Sequence, residues 1–343
     1  MKIEEILEDK FRETLKEKYT SCFSNKTILL TGAAGSIGRN LALLLLQTSL
    51  ETLILVDHSE ANLYELEQSL ILRGYNNFSI QLLDVTCELS VQNVFLKYKP
   101  DLVYHAAAYK QVPLLEKFPK QAFKVNTIGT KNMIDSAIKF KTRDFIFIST
   151  DKAVHPKSVM GVSKRMAEIY LTQFLERTDT IIKVIRFGNI PGTQGSVLPS
   201  WEKQLKLTSK IKVVNKAMER YFVSLNQVCL MLMDVVSIKT YSLLISEMGN
   251  HLSIKDLAVS FLERRKLKED HIVYTDIRPG EKKSESLSYP NEKIIIHKKD
   301  FFSKGMLVYN KTSSEALNTL IEKYESLDDV SVKKTFSNIV KEF

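Results

Sequence analysis

The sequence predicts an α/β fold, a doubly wound parallel sheet with a smaller, mixed region after it. Three observations predict this class. Short apolar runs alternate with longer amphipathic stretches from Lys26 onward, a glycine-rich turn follows the first run, and the alternation breaks after Phe187. Regular β–α alternation places parallel strands in one sheet with helices on both faces. The 343 residues are enough for one large domain with an appendage.

Six short apolar runs are predicted as strands, and five longer stretches with helical spacing are predicted as helices. The predicted strands are Thr27–Leu30, Thr52–Val56, Ser79–Leu82, Leu102–Tyr104, Phe145–Ile148 and Ile181–Ile185. The predicted helices are Ile37–Gln47, Ala61–Leu72, Leu89–Lys97, Gln121–Lys139 and Val162–Leu175.

Composition excludes several classes of protein. The net charge is +9, but the 49 Lys and Arg residues are interleaved with 40 Asp and Glu and form no basic arm, so no nucleic-acid partner is expected. Three widely spaced cysteines (Cys22, Cys87, Cys229) fit neither a disulfide framework nor a metal site and suit a reducing cytoplasm. The longest aliphatic run, Leu41–Leu46, is far too short to cross a bilayer. We therefore expect a cytoplasmic protein without a membrane span or metal, some of whose cations bind an anionic small molecule.

The glycine-rich turn, Thr31–Gly38, follows the first strand and opens the first helix. Glycine lets backbone N–H groups approach a pyrophosphate, and the helix N-terminus adds positive potential. Asp57 lies at the end of the second strand, nineteen residues after Gly38. An acidic side chain there accepts hydrogen bonds from the adenosine ribose and disfavours a 2′-phosphate. The sequence therefore predicts a site for NAD rather than NADP.

Further residues complete the predicted cofactor pocket. Asp84 is placed to bond the adenine amino group, although a helix N-cap is its competing role. Small residues after the fourth strand let the cofactor lie against the backbone, and His105 is interpreted as a packed histidine. The predicted cofactor-binding residues are Gly32, Gly35, Ser36, Ile37, Gly38, Asp57, Asp84, Val85, Ala106, Ala107 and Lys164.

These signals divide the chain into four predicted segments. Residues 1–24 form an amphipathic N-terminal helix, and residues 25–187 form the NAD-binding Rossmann domain. Residues 188–295 are mainly a substrate-binding region, and residues 296–343 are a tail with a helix.

Polar residues follow the fifth strand and open the next helix. Ser149-Thr150-Asp151-Lys152 comes directly after the strand, and Lys164 lies one helical turn after Met160. Ligands bind outside the carboxyl ends of strands in open parallel sheets, so a reaction centre is expected here. The layout resembles the active site of short-chain dehydrogenase/reductases, in which a tyrosine stands where this chain has Met160.

The chain resembles the nucleotide-sugar 4,6-dehydratase branch of the extended short-chain dehydrogenase/reductases, and specifically the CapD-like polysaccharide-biosynthesis enzymes that act on UDP-N-acetylglucosamine. Some members of that family also carry methionine in place of the tyrosine. The resemblance runs from about residue 25 to residue 289. The motifs that carry it are Thr31–Gly38, His105–Pro113, Ser149–Lys164, Arg186–Asn189, Gly195–Val197, Arg220–Phe222 and Arg278–Lys282.

The resemblance implies a reaction in three stages: a hydride passes from C4 of the sugar to NAD+, water is lost across C5 and C6, and the hydride returns to C6. It implies that Lys152 takes the C5 proton and that Asp151 protonates the departing 6-hydroxyl. It places Lys164 on the nicotinamide ribose and the Thr150 hydroxyl near O4. Met160 has no exchangeable proton and is interpreted as packing, so the group that deprotonates O4 stays open between Asp151 and Thr150 acting through water.

Substrate anchors are expected in the second region. Arg220 and Arg278 suit a diphosphate, because a guanidinium offers forked donors to phosphate oxygens. Asn189 adds an amide donor for the same group, Glu281 suits the uridine ribose, and Lys110 faces the sugar.

Two alternative functions stay open. A UDP-hexosamine 4-epimerase shares the C4 hydride step but has no leaving group for an Asp–Lys pair to protonate. A non-catalytic regulator that binds NAD or a UDP-sugar is the other alternative. We also expect a homodimer or higher homo-oligomer, paired through the helices of residues 121–139 and 162–175. The configuration at C5 is expected to be retained, as in the relatives with methionine.

Overall fold

The computed structural model describes residues 21–240, 242–296 and 302–340, so the N-terminal helix predicted within residues 1–24 lies almost wholly outside the described residues. The strands are β1 (Thr27–Thr31), β2 (Thr52–Asp57), β3 (Phe78–Leu82), β4 (Leu102–His105), β5 (Asp144–Ile148), β6 (Ile181–Arg186), β7 (Ile211–Val214), β8 (Glu219–Arg220), β9 (Leu243–Ser246), β10 (Leu252–Ser253), β11 (Ile272–Thr275), β12 (Ile295–Ile296) and β13 (Phe302–Gly305).

The α-helices alternate with the strands through the first half of the chain and cluster near its end. They are α1 (Ser36–Leu45), α2 (Glu60–Leu72), α3 (Glu88–Tyr98), α4 (Val112–Leu115), α5 (Pro119–Phe123), α6 (Gly129–Lys139), α7 (Val159–Thr172), α8 (Val197–Thr208), α9 (Leu225–Asp234), α10 (Ile254–Glu263), α11 (Lys311–Lys323) and α12 (Asp329–Val340).

The main sheet confirms the predicted doubly wound fold. Within the described residues it has nine strands in the order β12-β13-β9-β6-β5-β4-β1-β2-β3. Strands β1 to β6 and β9 run parallel, β13 runs antiparallel to β9, and β12 pairs antiparallel with β13. The segment 188–295, predicted mainly as a substrate-binding region, therefore also supplies β9 to this sheet, and the predicted tail supplies β13. The sequence did not reveal these strands, because β9 follows a long insertion that breaks the β–α period.

The parallel strands are buried on both faces, which is why they are almost continuously apolar. Alternate side chains enter two different cores. Phe145 and Phe147 face the side covered by α6 and α7, and Ile146 and Ile148 face the side covered by α1 and α9. The sheet thus fixes the strand ends between two packed layers.

A smaller layer lies beside the carboxyl ends of the sheet. Its core contains Trp201 of α8, Val213 of β7 and Phe261 of α10. Two short ladders, β7 with β11 and β8 with β10, complete the layer. It forms the wall opposite the glycine-rich turn.

The helix predicted over Gln121–Lys139 is interrupted by a π-helical segment, Lys124–Ile128. Fully buried Asn126 lies in this segment. Its side chain accepts a hydrogen bond from Tyr109 N at 2.7 Å and donates to Ser163 Oγ at 2.9 Å. The π segment thereby joins the loop after β4 to α7.

The helical hairpin α11–α12 packs on α5 and α7. Every residue of α7 is buried within the single chain. The expectation that the helix of residues 162–175 pairs with a second subunit is therefore wrong for this structure, because the chain's own C-terminal helices cover it. Among the described residues, no helix combines the length and the apolar character needed to cross a bilayer.

Candidate active site

A cavity of about 1660 Å³ opens at the carboxyl ends of β1, β4, β5 and β6, between the main sheet and the smaller layer. The predicted site residues that line it are Gly32, Gly35, Ser36, Ile37, Gly38, Ala106, Lys110, Thr150, Lys152, Lys164, Asn189, Arg220, Arg278 and Glu281. The predicted site residues that lie outside its lining are Asp57, Asp84, Val85, Ala107 and Asp151.

The glycine-rich turn is shaped by close backbone contacts. Gly32 has φ of +65°, and a Cβ atom there would lie 2.8 Å from the Ala106 backbone. A Cβ atom on Gly38 would lie 2.2 Å from the Gly32 carbonyl oxygen. Gly35, the N-cap of α1, offers no side-chain cap, and the first N–H groups of a helix have no acceptor within it. The turn therefore fits a pyrophosphate placed at the helix N-terminus.

Asp57 holds this turn from behind. One carboxylate oxygen accepts from Ala34 N at 3.0 Å, and the other accepts from Ser59 N at 3.0 Å. Each carboxylate oxygen has a second lone pair, so acceptor capacity remains for ribose hydroxyl groups. The carboxylate at the end of β2 therefore fits the adenosine ribose of NAD.

Asp84 and Val85 shape the pocket from a second layer. Asp84 accepts a hydrogen bond from Thr86 N at 2.9 Å, which is a turn-forming role of the kind that competes with adenine binding. Val85 is buried, and its carbonyl oxygen accepts from Asn132 Nδ2 at 3.0 Å.

His105 is a packed, neutral histidine, as expected. Its ring nitrogens lie 2.7 Å from Thr31 Oγ1 and 3.0 Å from Thr130 Oγ1. Burial, and then the charge of Lys164, lowers the pKa of His105 to about 3. It stays uncharged at neutral pH and supports the end of β4.

Lys164 lies in the first turns of α7 with its ammonium 3.9 Å from the centre of the Phe147 ring. Burial lowers the pKa of Lys164 to about 7, against the opposing charge of Glu168. Met160, one turn earlier, is 5% exposed and lines the same cavity. Its surroundings fit the packing role expected for it.

Lys152 reaches into the cavity at the end of β5. Its ammonium donates to Asp151 Oδ1 at 3.0 Å and to Asn189 Oδ1 at 2.8 Å. Thr150 Oγ1 donates to Asp151 Oδ1 at 2.9 Å. Asp151 itself is fully buried, and its Oδ2 atom has no hydrogen-bond partner. Lys152 and Thr150 therefore face the cavity, and Asp151 lies beneath them.

Three of the predicted substrate anchors, Arg220, Arg278 and Glu281, line the cavity from the part of the chain that follows β7, whereas Asn189 lies beside Lys152. Arg220 is buried and donates to the carbonyl oxygen of Lys283 at 3.0 Å. Arg278 is 52% exposed and pairs with Glu281 Oε1. Glu281 Oε2 is buried without a hydrogen-bond partner, which leaves an acceptor for a hydroxyl group.

The cavity carries an excess of positive charge. Eight cationic side chains of the described residues line it against three acidic ones, which favours an anionic ligand. Lys203 and Lys212 belong to this set and were not predicted, because isolated lysines in the sequence carry no signal. Asn126 was also missed; its one signal is a polar, weakly helix-forming residue within an apolar helix. Among the described residues, no group of three His, Cys, Asp or Glu side chains is placed to hold a metal.

Comparison with known proteins gives one family and several relatives. A family model described as polysaccharide biosynthesis protein matches residues 28–305. The capsular polysaccharide biosynthesis protein CapD of Staphylococcus aureus is 35% identical over 288 residues, which cover 82% of this chain and 47% of CapD. The chain therefore spans about half the length of that relative.

Two further proteins are similar over most of their length. A UDP-glucose 4-epimerase of Rickettsia canadensis is 30% identical over 279 residues, which cover 77% of this chain and 78% of the epimerase. The solved structure of Pen from Bacillus thuringiensis has a TM-score of 0.76 and 27% identity, and the match covers 89% of this chain and 99% of Pen.

Proposed function

The chain belongs to the polysaccharide biosynthesis protein family, and from this premise we propose that it is a NAD-dependent nucleotide-sugar 4,6-dehydratase that acts on UDP-N-acetylglucosamine for surface-glycan synthesis. One observation supports the proposal most strongly. The Lys152 side chain lines the cavity, and its Nζ atom lies 3.0 Å from Oδ1 of the buried Asp151. Elimination of water needs a base and an acid beside each other, and this pair supplies both.

The cofactor-binding residues are proposed from the shape of the turn. The N–H groups of Ser36, Ile37 and Gly38 would hold the pyrophosphate, Asp57 the adenosine ribose and Lys164 the nicotinamide ribose. NAD, when bound, accepts a hydride from the sugar and returns it. Lys164, with a pKa of about 7 set by burial against the opposing charge of Glu168, adds positive potential on this side of the cavity when it is protonated.

The elimination is assigned to the strand-end residues. Once C4 is a ketone, the C5 proton is acidic, and Lys152 takes it in its neutral amine form. Asp151, protonated by the O4 proton that the oxidation releases, supplies the proton with which the 6-hydroxyl leaves as water. Because Asp151 lies beneath the cavity lining, its proton would pass through the Thr150 hydroxyl or the Lys152 amine, both of which contact Oδ1. The same Thr150–Asp151 contact offers a path for the O4 proton, which Met160 cannot take.

The nucleotide is assigned to the smaller layer. Arg220 and Arg278 suit the diphosphate, and the unpartnered Oε2 of Glu281 suits a ribose hydroxyl. Lys110 faces the cavity from the loop after β4, and burial lowers its pKa. Its surroundings suit a position beside the sugar.

A 4-epimerase is the second candidate, and the relative from Rickettsia canadensis favours it by its name. The two activities share the removal of hydride from C4; an epimerase returns the hydride to the other face of C4, whereas a dehydratase eliminates water and returns it to C6. An epimerase has no use for a base at C5, so the Lys152–Asp151 contact favours the dehydratase.

The deciding experiment is an NMR assay of the purified protein with UDP-N-acetylglucosamine and NAD in deuterated water. A new C6 methyl signal supports dehydration, a galacto-configured product supports epimerisation, and absence of turnover supports a binding protein. Lys152→Ala and Asp151→Asn should each lower the methyl signal by about 100-fold or more, as expected for loss of a general acid or base.

The matched control is Lys157→Ala, an exposed lysine in the same loop, which should keep full activity. NAD binding by all three variants should equal that of the wild type. Full activity of Lys152→Ala or of Asp151→Asn would contradict the catalytic role proposed for that residue.

A further inference from the structure

Glu116 follows α4 and joins three parts of the fold through one carboxylate. Its Oε1 atom accepts a hydrogen bond from Val159 N at 2.7 Å. Its Oε2 atom lies 2.8 Å from the Lys333 ammonium. Gly280 lies so close that a Cβ atom there would be 2.6 Å from Oε1. The Glu116 side chain is 13% exposed, whereas Lys333 is half-exposed, so the carboxylate is largely buried and its ion pair lies at the surface.

The first contact holds the start of α7. Val159 is the first residue of that helix, and its N–H has no acceptor within the helix. Ser158 Oγ accepts from Gly161 N at 3.0 Å, so Glu116 and Ser158 together cap this end. A carboxylate at a helix N-terminus is also favoured by the helix dipole. Glu116 therefore fixes the end of the helix that presents Met160 to the cavity.

The second contact holds the turn that carries two predicted substrate anchors. Gly280 has φ of +81°, and a Cβ atom there would also lie 3.0 Å from the Ser158 side chain. The turn therefore packs directly on Glu116 and Ser158, with Arg278 and Glu281 on either side of the contact. A further attachment of this segment is the hydrogen bond from Lys282 Nζ to the Val154 carbonyl oxygen at 2.9 Å.

The third contact comes from the C-terminal hairpin. Lys333 lies in α12, and the same hairpin is attached to α5 by Asp329, whose carboxylate accepts from Lys120 N at 2.7 Å. The hairpin thus reaches the cavity wall without lining it, because Glu116 lies between the two.

We propose that Glu116 is a positioning residue, which holds the turn of Arg278 and Glu281 against the first turn of α7, and that Lys333 fixes its carboxylate from outside. The inference deepens the proposed function, since it takes Arg278 and Glu281 as nucleotide ligands. Among the described residues, Glu116 forms no hydrogen bond with the cofactor turn or the strand-end residues, and its contact with α7 lies more than one turn before Lys164, so its loss should weaken nucleotide binding more than NAD binding.

The test compares four variants by titration calorimetry with UDP and, separately, with NAD. Glu116→Ala should weaken UDP binding by about tenfold, the effect of losing one charge-assisted hydrogen bond. Glu116→Gln keeps an acceptor for Val159 N and should weaken UDP binding by about threefold or less. The UDP affinity of Lys333→Met should lie between those of the two Glu116 variants. Lys311→Met, an exposed lysine of the same hairpin that pairs with Glu315, is the matched control and should bind UDP as the wild type does.

Hydrogen exchange separates this proposal from the proposed function. Glu116→Ala should lose amide protection in residues 159–162 and 278–282 together, while the strands of the main sheet keep theirs. Unchanged exchange in both segments, or equal weakening of UDP and NAD binding, would overturn the positioning role. If the wild type binds no UDP while the two segments still lose protection together, the nucleotide assignment is wrong and the positioning role stands.

Discussion

Lys164 is a lysine that is almost completely buried at the cavity wall. Its ammonium lies against the Phe147 ring, and burial lowers its pKa from 10.5 to about 7. Between these two values the folded protein binds fewer protons than the unfolded chain, so the free energy of unfolding rises with pH across this window. Below pH 7 the cost of burying the charge is fully present, and above pH 10.5 it is gone.

We therefore predict that Lys164→Met raises the free energy of unfolding at pH 6, by on the order of a few kcal/mol, and that the gain shrinks as the pH approaches 10. Urea unfolding at a series of pH values measures this difference. Lys157→Met, at an exposed lysine, should show no such pH dependence. An equal gain from Lys164→Met at pH 6 and pH 10 would contradict the assignment.

For single residues, the sequence did not predict how far each side chain is buried. The string Thr150-Asp151-Lys152 placed all three residues at the end of β5, and they are there. Burial separates them: Lys152 and Thr150 line the cavity, and Asp151 is enclosed beneath them. The end of a strand determines the backbone position of these residues. How far each side chain is buried depends on contacts with residues from other elements, such as Asn189.

The element that connects most of the site is α7. Its first turn contacts Glu116 from one side and the Lys152 carbonyl oxygen from another. Gly161 permits the second contact, since a Cβ atom there would lie 2.3 Å from that oxygen. The glycine is therefore a packing requirement of the helix and not a flexible point in it.

Helix propensity alone predicts that Gly161→Ala stabilises the protein by about 1 kcal/mol. We predict the opposite, a loss of about 1–3 kcal/mol, because the clashing atom belongs to the backbone and cannot rotate away. Turnover should fall as well, since relief of the clash moves Lys152 relative to Lys164. Thermal unfolding and the NMR assay measure the two effects, and a variant more stable than the wild type would refute the prediction.

Helix boundaries were predicted to within one residue at α2 and α3, whereas α7 begins and ends three residues earlier than predicted. The π segment was not predicted, because Lys124–Ile128 has ordinary helical spacing. Its geometry depends on Asn126 reaching Tyr109 and Ser163, which are distant in the sequence. Local pattern cannot report a contact of that kind.

At the scale of the whole molecule, a buried ionic network joins the sheet to the chain that follows the smaller layer. Arg186 at the end of β6 donates to both oxygens of Glu292, at 2.7 and 2.8 Å, and to Glu168 of α7 at 2.7 Å. All three side chains are buried. Glu292 lies just before β12 and β13 in the chain, so the network attaches these last strands to the rest of the sheet.

Glu292→Gln should lower the free energy of unfolding by about 3 kcal/mol or more, because it removes one of the two carboxylates that balance the buried guanidinium charge of Arg186. Urea denaturation measures the loss. Glu315→Gln, which removes an exposed pair with Lys311, should cost less than about 1 kcal/mol. Equal small effects of both substitutions would show that the network is not what holds this part of the fold.

The parallel sheet was predictable from β–α alternation, but its far edge was not. Strands β9 and β13 come from parts of the chain whose patterns are mixed, and β13 joins in the antiparallel direction. Only tertiary packing distinguishes such strands from surface loops. The C-terminal hairpin was foreseen as helix, but its position over α7 was not.

The position of the C-terminal hairpin over α7 has a consequence for folding during synthesis. Helix α7 ends at Thr172 and the hairpin begins at Lys311, so the ribosome releases the cover roughly 140 residues later, on the order of 10 s at ordinary rates of synthesis. Until then the face of α7 that the hairpin covers in the folded chain is exposed, although its other faces can already pack on α6 and the π segment. Glu116 likewise lacks its Lys333 partner until the hairpin is made, so the hairpin completes the support of the cavity wall last.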